Sequence, residues 1–212
     1  MSSELLSIPA DDTHIEGLLE LPAQARGLVL FAHGSGSSRH SPRNTHVARV
    51  LHAQATGTLL LDLLTLAEDL DYHTRFDISL LTHRLLIATA YVMLHTPASR
   101  HLPIGYFGAS TGAAAALQAA AALGNEVQAV VSRGGRADLA GTQGLAKVSA
   151  PTLLLVGGAD TEVLALNRQA YDRLRCEKEL VVVPGAGHLF EELGALDEVA
   201  RQAAAWFSRH WR

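Results

Sequence analysis

Short apolar runs alternate with longer segments of mixed polarity along most of the chain. A short, continuous apolar run is typical of a strand buried on both faces, whereas apolar residues spaced three and four apart are typical of an amphipathic helix. Strands that alternate with helices predict a mostly parallel sheet with helices on both faces, the α/β class. The predicted strands are 14–21, 28–32, 58–62, 104–107, 127–131, 152–156 and 180–183.

The same pattern predicts helices between these strands. Apolar residues recur three and four positions apart over 78–92, and Asp77 stands where an N-cap is expected. Residues 113–123 are nearly all alanine, the residue with the highest helix propensity, and Gly124 follows as a C-terminal cap. A further helix is predicted over about 197–209.

Composition and charge limit the classes of protein to which the chain can belong. The 212 residues are 48% hydrophobic and 18% charged, as expected for a single globular domain over 1–212. The net charge of −4 gives no basic field to attract nucleic acid. One cysteine excludes an internal disulfide, the first residues lack a signal-peptide pattern, and no apolar run approaches the roughly 20 residues that span a membrane. We therefore expect a cytoplasmic protein with neither nucleic acid nor membrane as partner.

The sequence Gly108-Ala109-Ser110-Thr111-Gly112 has the form G-x-S-x-G and lies between the predicted strand 104–107 and the alanine-rich helix. At a strand-to-helix turn of this kind the serine backbone is strained and its hydroxyl is lifted above the sheet. Glycines flank the serine because side chains would clash where strand and helix approach each other. The motif therefore predicts a nucleophilic Ser110.

A serine hydroxyl needs a base to take its proton, and the base needs an acid to orient it. Asp160 follows the predicted strand 152–156, and His188 follows the predicted strand 180–183. The carboxyl ends of parallel strands meet at one edge of an open α/β sheet, where active sites lie. We therefore expect Ser110, His188 and Asp160 to lie together.

Each of these residues also has a simpler structural interpretation. Ser110 could cap the alanine-rich helix, and His188 could be a histidine in a glycine-rich turn. Asp160 could be the N-cap of a helix that begins at Thr161, in which case Glu162 is the substitute acid.

The chain resembles the α/β hydrolases, in which the triad follows the order Ser, Asp, His. The resemblance covers about the whole chain and implies catalytic roles for Ser110, Asp160 and His188. It also implies an oxyanion hole made by the backbone N–H groups of Ser35, in the His-Gly-Ser loop after strand 28–32, and Thr111. The histidine of that loop, His33, is expected to orient the loop by a hydrogen bond and to take no chemical step.

Within this superfamily, the small size and the absence of a lid resemble dienelactone-hydrolase-like enzymes. Dienelactone hydrolases carry cysteine at the elbow where this chain has Ser110, which favours ordinary serine-esterase chemistry. The one cysteine, Cys176, falls in the helical stretch 163–177 and is expected to be structural. The connection 132–150 is too short for a cap domain, so the site should be open and long-chain lipids are unsuitable substrates.

Two loops at the predicted site edge are rich in arginine, which can bind a carboxylate or phosphate on a substrate. They carry Arg39, Arg43, Arg133 and Arg136. Local acids such as Asp62 and Asp138 could instead neutralise these side chains. From its position after strand 58–62, Tyr72 is a further candidate for contact with substrate, beside Arg39 and Arg133.

Together these features predict a carboxylesterase-type serine hydrolase that acts on small or short-acyl esters through an acyl-enzyme. An acyltransferase with the same triad and a non-catalytic binding protein of the α/β-hydrolase fold are the alternatives. The 11 histidines show no ligand spacing, so neither a metal nor another cofactor is expected. The expected partner is a small-molecule ester, and the protein is expected to be a monomer or homodimer.

Overall fold

Eight strands form one sheet in the computed structural model, which describes residues 1–211. The strands are β1 (Ser2–Ala10), β2 (Thr13–Leu21), β3 (Gly27–Ala32), β4 (Thr56–Leu61), β5 (Ile104–Ala109), β6 (Val127–Arg133), β7 (Thr152–Gly157) and β8 (Lys178–Val183). Their order across the sheet is β1-β2-β4-β3-β5-β6-β7-β8. β1 and β2 are antiparallel to their neighbours, and β3 to β8 are all parallel. The mostly parallel sheet confirms the predicted α/β class.

Helices cover both faces of this sheet. They are α1 (Pro42–Ala53), α2 (Leu66–Leu70), α3 (Ile78–His95), α4 (Thr111–Leu123), α5 (Thr142–Lys147), α6 (Thr161–Arg173) and α7 (Ala195–His210). α1 and α7 pack on one face around Phe31, Phe107 and Val131, while α3, α4 and α6 pack on the other face around Leu30 and Tyr106. The central strands are apolar on both sides because each side is buried.

The first strand was not among the predicted elements. In β1 the side chains of Leu6, Ile8 and Ala10 are buried and alternate with exposed neighbours, because β1 is an edge strand with one face on the core. Its polar, serine-rich start hides this alternation in the sequence.

Two residues singled out in the sequence lie in other elements than predicted, Arg133 at the carboxyl edge of the sheet and Cys176 just before β8. β6 continues past residue 131 to Arg133, because Arg133 still pairs with Ala109 of β5 and Leu155 of β7. Arg133 is therefore a strand residue rather than a loop residue. Cys176 lies outside the helix expected over 163–177, because α6 ends at Arg173 and the chain then turns toward β8.

The alanine-rich helix α4 lies unusually close to the strands that precede it. A Cβ atom on Gly112 would come within 2.1 Å of the Ala32 carbonyl oxygen, and one on Gly108 within 2.4 Å of the Ala113 Cα. Side chains cannot be accommodated at either position. This close approach brings the start of α4 against the end of β3, which is where Ser110 and the loop after β3 meet.

The connection from β6 to β7 contains a 3-10 turn, Ala137–Ala140, and the short α5, both packed against the body of the fold. It carries no cap domain. α3 is the one helix within residues 1–211 that is long and apolar enough to cross a membrane. Its residues Leu81, Leu85, Ala88 and Val92 are instead buried in the core.

Candidate active site

Ser110 occupies a strained turn between β5 and α4. Its backbone angles are φ 50° and ψ −122°, a region that non-glycine residues seldom adopt and that is found mostly at functional sites. The Ser110 amide donates to the Arg133 carbonyl at 3.3 Å, and the Ser110 carbonyl accepts from the Arg136 amide at 2.9 Å. The hydroxyl makes no capping bond to α4. The geometry is that of the strained strand-to-helix turn predicted for G-x-S-x-G rather than that of a helix cap.

His188 and Asp160 form a hydrogen-bonded pair. The Asp160 Oδ2 lies 2.7 Å from the His188 Nδ1, and the carboxylate is more buried than the imidazole, with side-chain exposures of 14% and 40%. Asp160 precedes α6 but its side chain makes no capping bond, so the carboxylate serves the histidine instead of the helix. Glu162 is exposed in the first turn of α6. With Nδ1 held by the carboxylate, Nε2 is the nitrogen left to exchange a proton with substrate or nucleophile.

The end of β6 connects Ser110 to His188. The Arg133 carbonyl holds the Ser110 amide, and the next residue, Gly134, packs directly on His188. A Cβ atom on Gly134 would lie 3.1 Å from the His188 carbonyl oxygen and 3.6 Å from Nδ1, and its φ of 51° also favours glycine. The fold therefore brings Ser110, His188 and Asp160 to one edge of the sheet.

The loop after β3 lies against Ser110. A Cβ atom on Gly34 would be 2.9 Å from the Ser110 Cβ and 3.7 Å from its Oγ, so only glycine lets this loop approach so closely. The next residue, Ser35, donates its amide to the Thr111 Oγ1 at 3.1 Å. Thr111 is the first residue of α4, so its own N–H has no carbonyl partner within the helix. The two amides expected to form an oxyanion hole thus belong to neighbouring residues beside Ser110.

The hydroxyl of Thr111 contributes to the site by accepting a hydrogen bond from the loop after β3, a role that the sequence analysis did not predict. It joins the loop after β3 to the start of α4, two segments 76 residues apart. The signal in the sequence is only a hydroxyl-bearing residue directly after the elbow serine.

The imidazole of His33 holds the same loop in place through two hydrogen bonds. Its Nε2 accepts from the Leu63 amide at 3.1 Å, so this nitrogen carries no proton, and Nδ1 donates to the Gly34 carbonyl at 2.9 Å. Burial lowers the pKa of His33 below the usual histidine value because the charged imidazolium is poorly solvated there. His33 is therefore a neutral structural link between the loop after β3 (33–38), called the oxyanion loop for the role expected of Ser35, and the segment after β4.

Three of the four candidate arginines pair with local acids. Arg39 pairs with Asp62 and Glu16, Arg43 lies 3.2 Å from Glu191, and Arg136 lies 2.8 Å from Asp138. Among the described residues Arg133 has no carboxylate within salt-bridge distance.

Tyr72 lies in an exposed segment between α2 and the 3-10 turn Thr74–Phe76. Its ring packs against Phe76 with 4.9 Å between the ring centroids, and both rings remain open to solvent. Arg75 lies close to the oxyanion loop, since a Cβ atom on Gly36 would be 3.7 Å from the Arg75 Nη1. On the same side, a cavity of about 580 Å³ adjoins the oxyanion loop and is lined by residues that include His14, Glu16, His33, Ser38, Arg39 and Asp62.

Comparison with known proteins gives relatives along the whole chain. A crystal structure of dienelactone hydrolase from Anabaena variabilis is 52% identical, with a TM-score of 0.95 over 100% of this chain and 99% of that one. A lidless α/β serine hydrolase from Xanthomonas campestris shares the fold at 22% identity and TM-score 0.73, covering 96% of this chain and 95% of that one. The esterase Est1E of Butyrivibrio proteoclasticus also shares the fold, with 15% sequence identity and a TM-score of 0.84 over 99% of each chain.

Two sequences from Mycobacterium tuberculosis strains, each named "putative phosphoribosyl transferase", are 51% identical over 210 residues. The match covers 99% of this chain but 47% of each relative, so the chain spans about half the length of these curated relatives. No family model matches the chain.

Proposed function

Because the chain belongs to the dienelactone hydrolase family of the α/β hydrolases, we propose that it is a serine hydrolase that cleaves carboxylic esters of small or short-acyl substrates. The observation that carries the proposal is the 2.7 Å hydrogen bond from the His188 Nδ1 to Asp160, made on the same sheet edge as the strained Ser110. A serine raised on such a turn, with a carboxylate-held imidazole nearby, is the arrangement that acyl transfer requires.

In the proposed mechanism the His188 Nε2 takes the proton of the Ser110 hydroxyl while its oxygen attacks the ester carbonyl. The carbonyl oxygen becomes an oxyanion, which the amides of Ser35 and Thr111 bind. The intermediate collapses, the alcohol leaves with the proton from His188, and the acyl group stays on Ser110. Water then enters by the reverse sequence and releases the acid. Asp160 holds the imidazole in the required tautomer and stabilises the imidazolium.

The preference for short acyl groups follows from the shape of the surroundings. No cap covers the site from the connection between β6 and β7, and His188 is itself exposed. A long alkyl chain needs an apolar tunnel from which water is excluded, and an open edge of the sheet offers none. Tyr72 and Phe76, whose rings are exposed to solvent on the segment that carries Arg75, are the aromatic candidates for contact with a small acyl or alcohol group. Arg39 and Arg133 are the polar candidates for such contacts.

The mycobacterial relatives are named as transferases, but this chain matches only 47% of the length of each, so the name describes proteins about twice as long as the matched region. The groups gathered at the present site are a serine hydroxyl, an imidazole and a carboxylate. These groups suit acyl transfer, and the hydrolase and esterase names of the similar structures favour water as the acceptor, so hydrolysis is the function we propose for the chain.

Replacing Ser110 with alanine tests the proposal. We expect Ser110→Ala to lower the turnover of p-nitrophenyl acetate by about 10⁶-fold, as loss of a triad nucleophile does. A fluorophosphonate should label the natural protein on Ser110 and should still label the matched control Cys176→Ser. If Ser110→Ala keeps a tenth of the activity, or if the label falls on Cys176, Ser110 is not the nucleophile. Acceleration of p-nitrophenol release by an added alcohol, with ester as product, would instead identify an acyltransferase.

A further inference from the structure

One peptide group links the loop that carries His188 to the loop that carries Asp160. The Ala186 carbonyl, in the loop between β8 and α7, accepts a hydrogen bond from the Ala159 amide at 2.9 Å. Ala159 directly precedes Asp160, and His188 lies shortly after Ala186. The orientation of the peptide between Ala186 and Gly187 therefore affects how the imidazole and the carboxylate face each other across 2.7 Å.

Glu192 binds the other side of the same peptide group. Its Oε1 accepts from the Gly187 N–H at 2.9 Å, although the carboxylate is exposed to solvent. Within residues 1–211 this is the one hydrogen bond between a side chain and a backbone atom of the loop between β8 and α7. A Cβ atom on Gly187 would lie 3.1 Å from the same oxygen, so glycine allows this close approach. With its carbonyl bonded to Ala159 and its N–H bonded to Glu192, the peptide group cannot rotate without breaking a hydrogen bond.

The bend that lets Glu192 reach back to Gly187 is strained at Phe190. The φ of Phe190 is 57°, a left-handed conformation that is an outlier for a bulky residue. Such strain persists where the surrounding structure enforces it, and it clusters at functional sites. The Phe190 ring is 2% exposed and packs beside the end of β6, since a Cβ atom on Gly134 would lie 3.3 Å from its Cε2. A buried ring and a strained backbone thus place the Glu192 carboxylate against the peptide group that it binds.

The neighbouring acid, Glu191, has a different partner. Its Oε1 lies 3.2 Å from the Arg43 Nη1 of α1, so one of the two adjacent glutamates binds a helix and the other binds the loop backbone. We propose that Glu192 is a positioning residue, which fixes this peptide group and thereby keeps the His188 Nδ1 bonded to Asp160. Its effect on the catalytic rate rests on the proposed function, whereas its effect on the imidazole does not.

Kinetics of substitutions at Glu192 test the proposal. Glu192→Ala should lower kcat for p-nitrophenyl acetate roughly tenfold and leave KM nearly unchanged, because a hydrogen bond to a charged acceptor is lost but no contact with the ester. Glu192→Gln keeps an oxygen acceptor without the charge and should restore most of kcat, whereas Glu192→Asp keeps the charge on a shorter side chain and should resemble Glu192→Ala. The control Glu191→Ala, which breaks the pair with Arg43, should change kcat by less than about twofold, as expected for an exposed ion pair. The proposal is wrong if Glu192→Ala stays within that range, or if Asp restores kcat and Gln does not.

The tautomer of His188 is a second readout, which needs no ester. In alkaline buffer, where imidazole is neutral, the hydrogen bond to Asp160 keeps the ring proton on Nδ1. Nitrogen NMR of the histidine rings reports which nitrogen carries the proton, and the signal that disappears in His188→Gln belongs to His188. Glu192→Ala should shift this signal toward the Nε2–H tautomer, and Glu192→Gln should not. A shift in Glu192→Ala supports the positioning role even if no ester is hydrolysed. An unchanged tautomer in folded Glu192→Ala refutes that role, whether or not the protein is an esterase.

Discussion

Replacing Asp160 with asparagine should lower the catalytic rate while leaving the free energy of unfolding nearly unchanged. The substitution keeps the size of the side chain but removes the charge that faces the His188 Nδ1 across 2.7 Å. An amide nitrogen facing the ring favours the tautomer whose proton is on Nε2, which cannot accept from Ser110, and it cannot stabilise the imidazolium. We therefore expect kcat for p-nitrophenyl acetate to fall by about 10⁴-fold, the magnitude typical for the orienting acid of a triad. At 1.36 kcal/mol per decade this is roughly 5 kcal/mol of lost transition-state stabilisation.

The same structure predicts little change in folding. Although Asp160 stands directly before α6, its side chain caps no backbone amide of that helix. The usual cost of about 1 kcal/mol for loss of an N-cap should therefore be absent. The midpoint of urea unfolding of Asp160→Asn should lie close to that of the wild type.

The assay compares kcat and unfolding midpoint in wild type, Asp160→Asn and Glu162→Gln. Glu162 is exposed in the first turn of α6 and serves as the matched acidic control, so its variant should keep nearly full activity. The reasoning is refuted if Asp160→Asn retains activity within tenfold of the wild type while losing stability, since Asp160 would then be a helix cap. Loss of activity in Glu162→Gln alone would transfer the role to that residue.

Two further predictions concern the substrate and pH. Specificity constants for p-nitrophenyl esters should peak at about two to six acyl carbons, because the site is open, and a maximum at twelve or more would show that the segment around Tyr72 closes as a lid. His33 stays neutral in the native protein because burial lowers its pKa, whereas the unfolded chain takes up a proton as pH falls below about 6.5, so stability should decrease in that range. Urea unfolding at pH 7.5 and 5.5 should show a smaller loss for His33→Gln than for wild type; His52, whose pKa is also lowered by burial, should leave a residual slope in both. An identical loss in the two proteins would mean that His33 protonates without cost.

The predictable part of this molecule is the part that local sequence determines. Buried strands and the alanine-rich helix follow from short-range patterns, and the strand-to-helix position of Ser110 follows from those. His188 and Asp160 could be placed at the same sheet edge because parallel strands share the orientation of their carboxyl ends. Their hydrogen bond, in contrast, depends on how two loops pack, and no pattern within either loop contains that information.

Arg133 shows the limit most clearly. The sequence makes Arg39 and Arg133 equal candidates for contact with substrate, with Arg43 and Arg136 on the same two arginine-rich segments. Asp138, two residues from Arg136, neutralises that arginine locally, whereas Arg39 pairs with Glu16 of β2 and with Asp62, and Arg43 pairs with the distant Glu191. Within residues 1–211, that Arg133 and not Arg39 lacks a carboxylate at salt-bridge distance depends on long-range packing, which the three-dimensional structure supplies.

The hydrogen bond between the Ser35 amide and the Thr111 hydroxyl has a thermodynamic consequence for the proposed oxyanion hole. A neutral ester carbonyl that replaces the hydroxyl exchanges one neutral hydrogen bond for another, so the bound ground state gains little. The oxygen that becomes negative on attack accepts a charge-assisted bond, roughly twice as strong. The Ser35 N–H therefore stabilises the transition state more than it stabilises the bound ester. Such a difference raises kcat, whereas equal stabilisation of both states would only tighten substrate binding. The Thr111 hydroxyl thus competes with the substrate for the Ser35 amide, and the substrate oxygen displaces it most effectively once that oxygen carries negative charge.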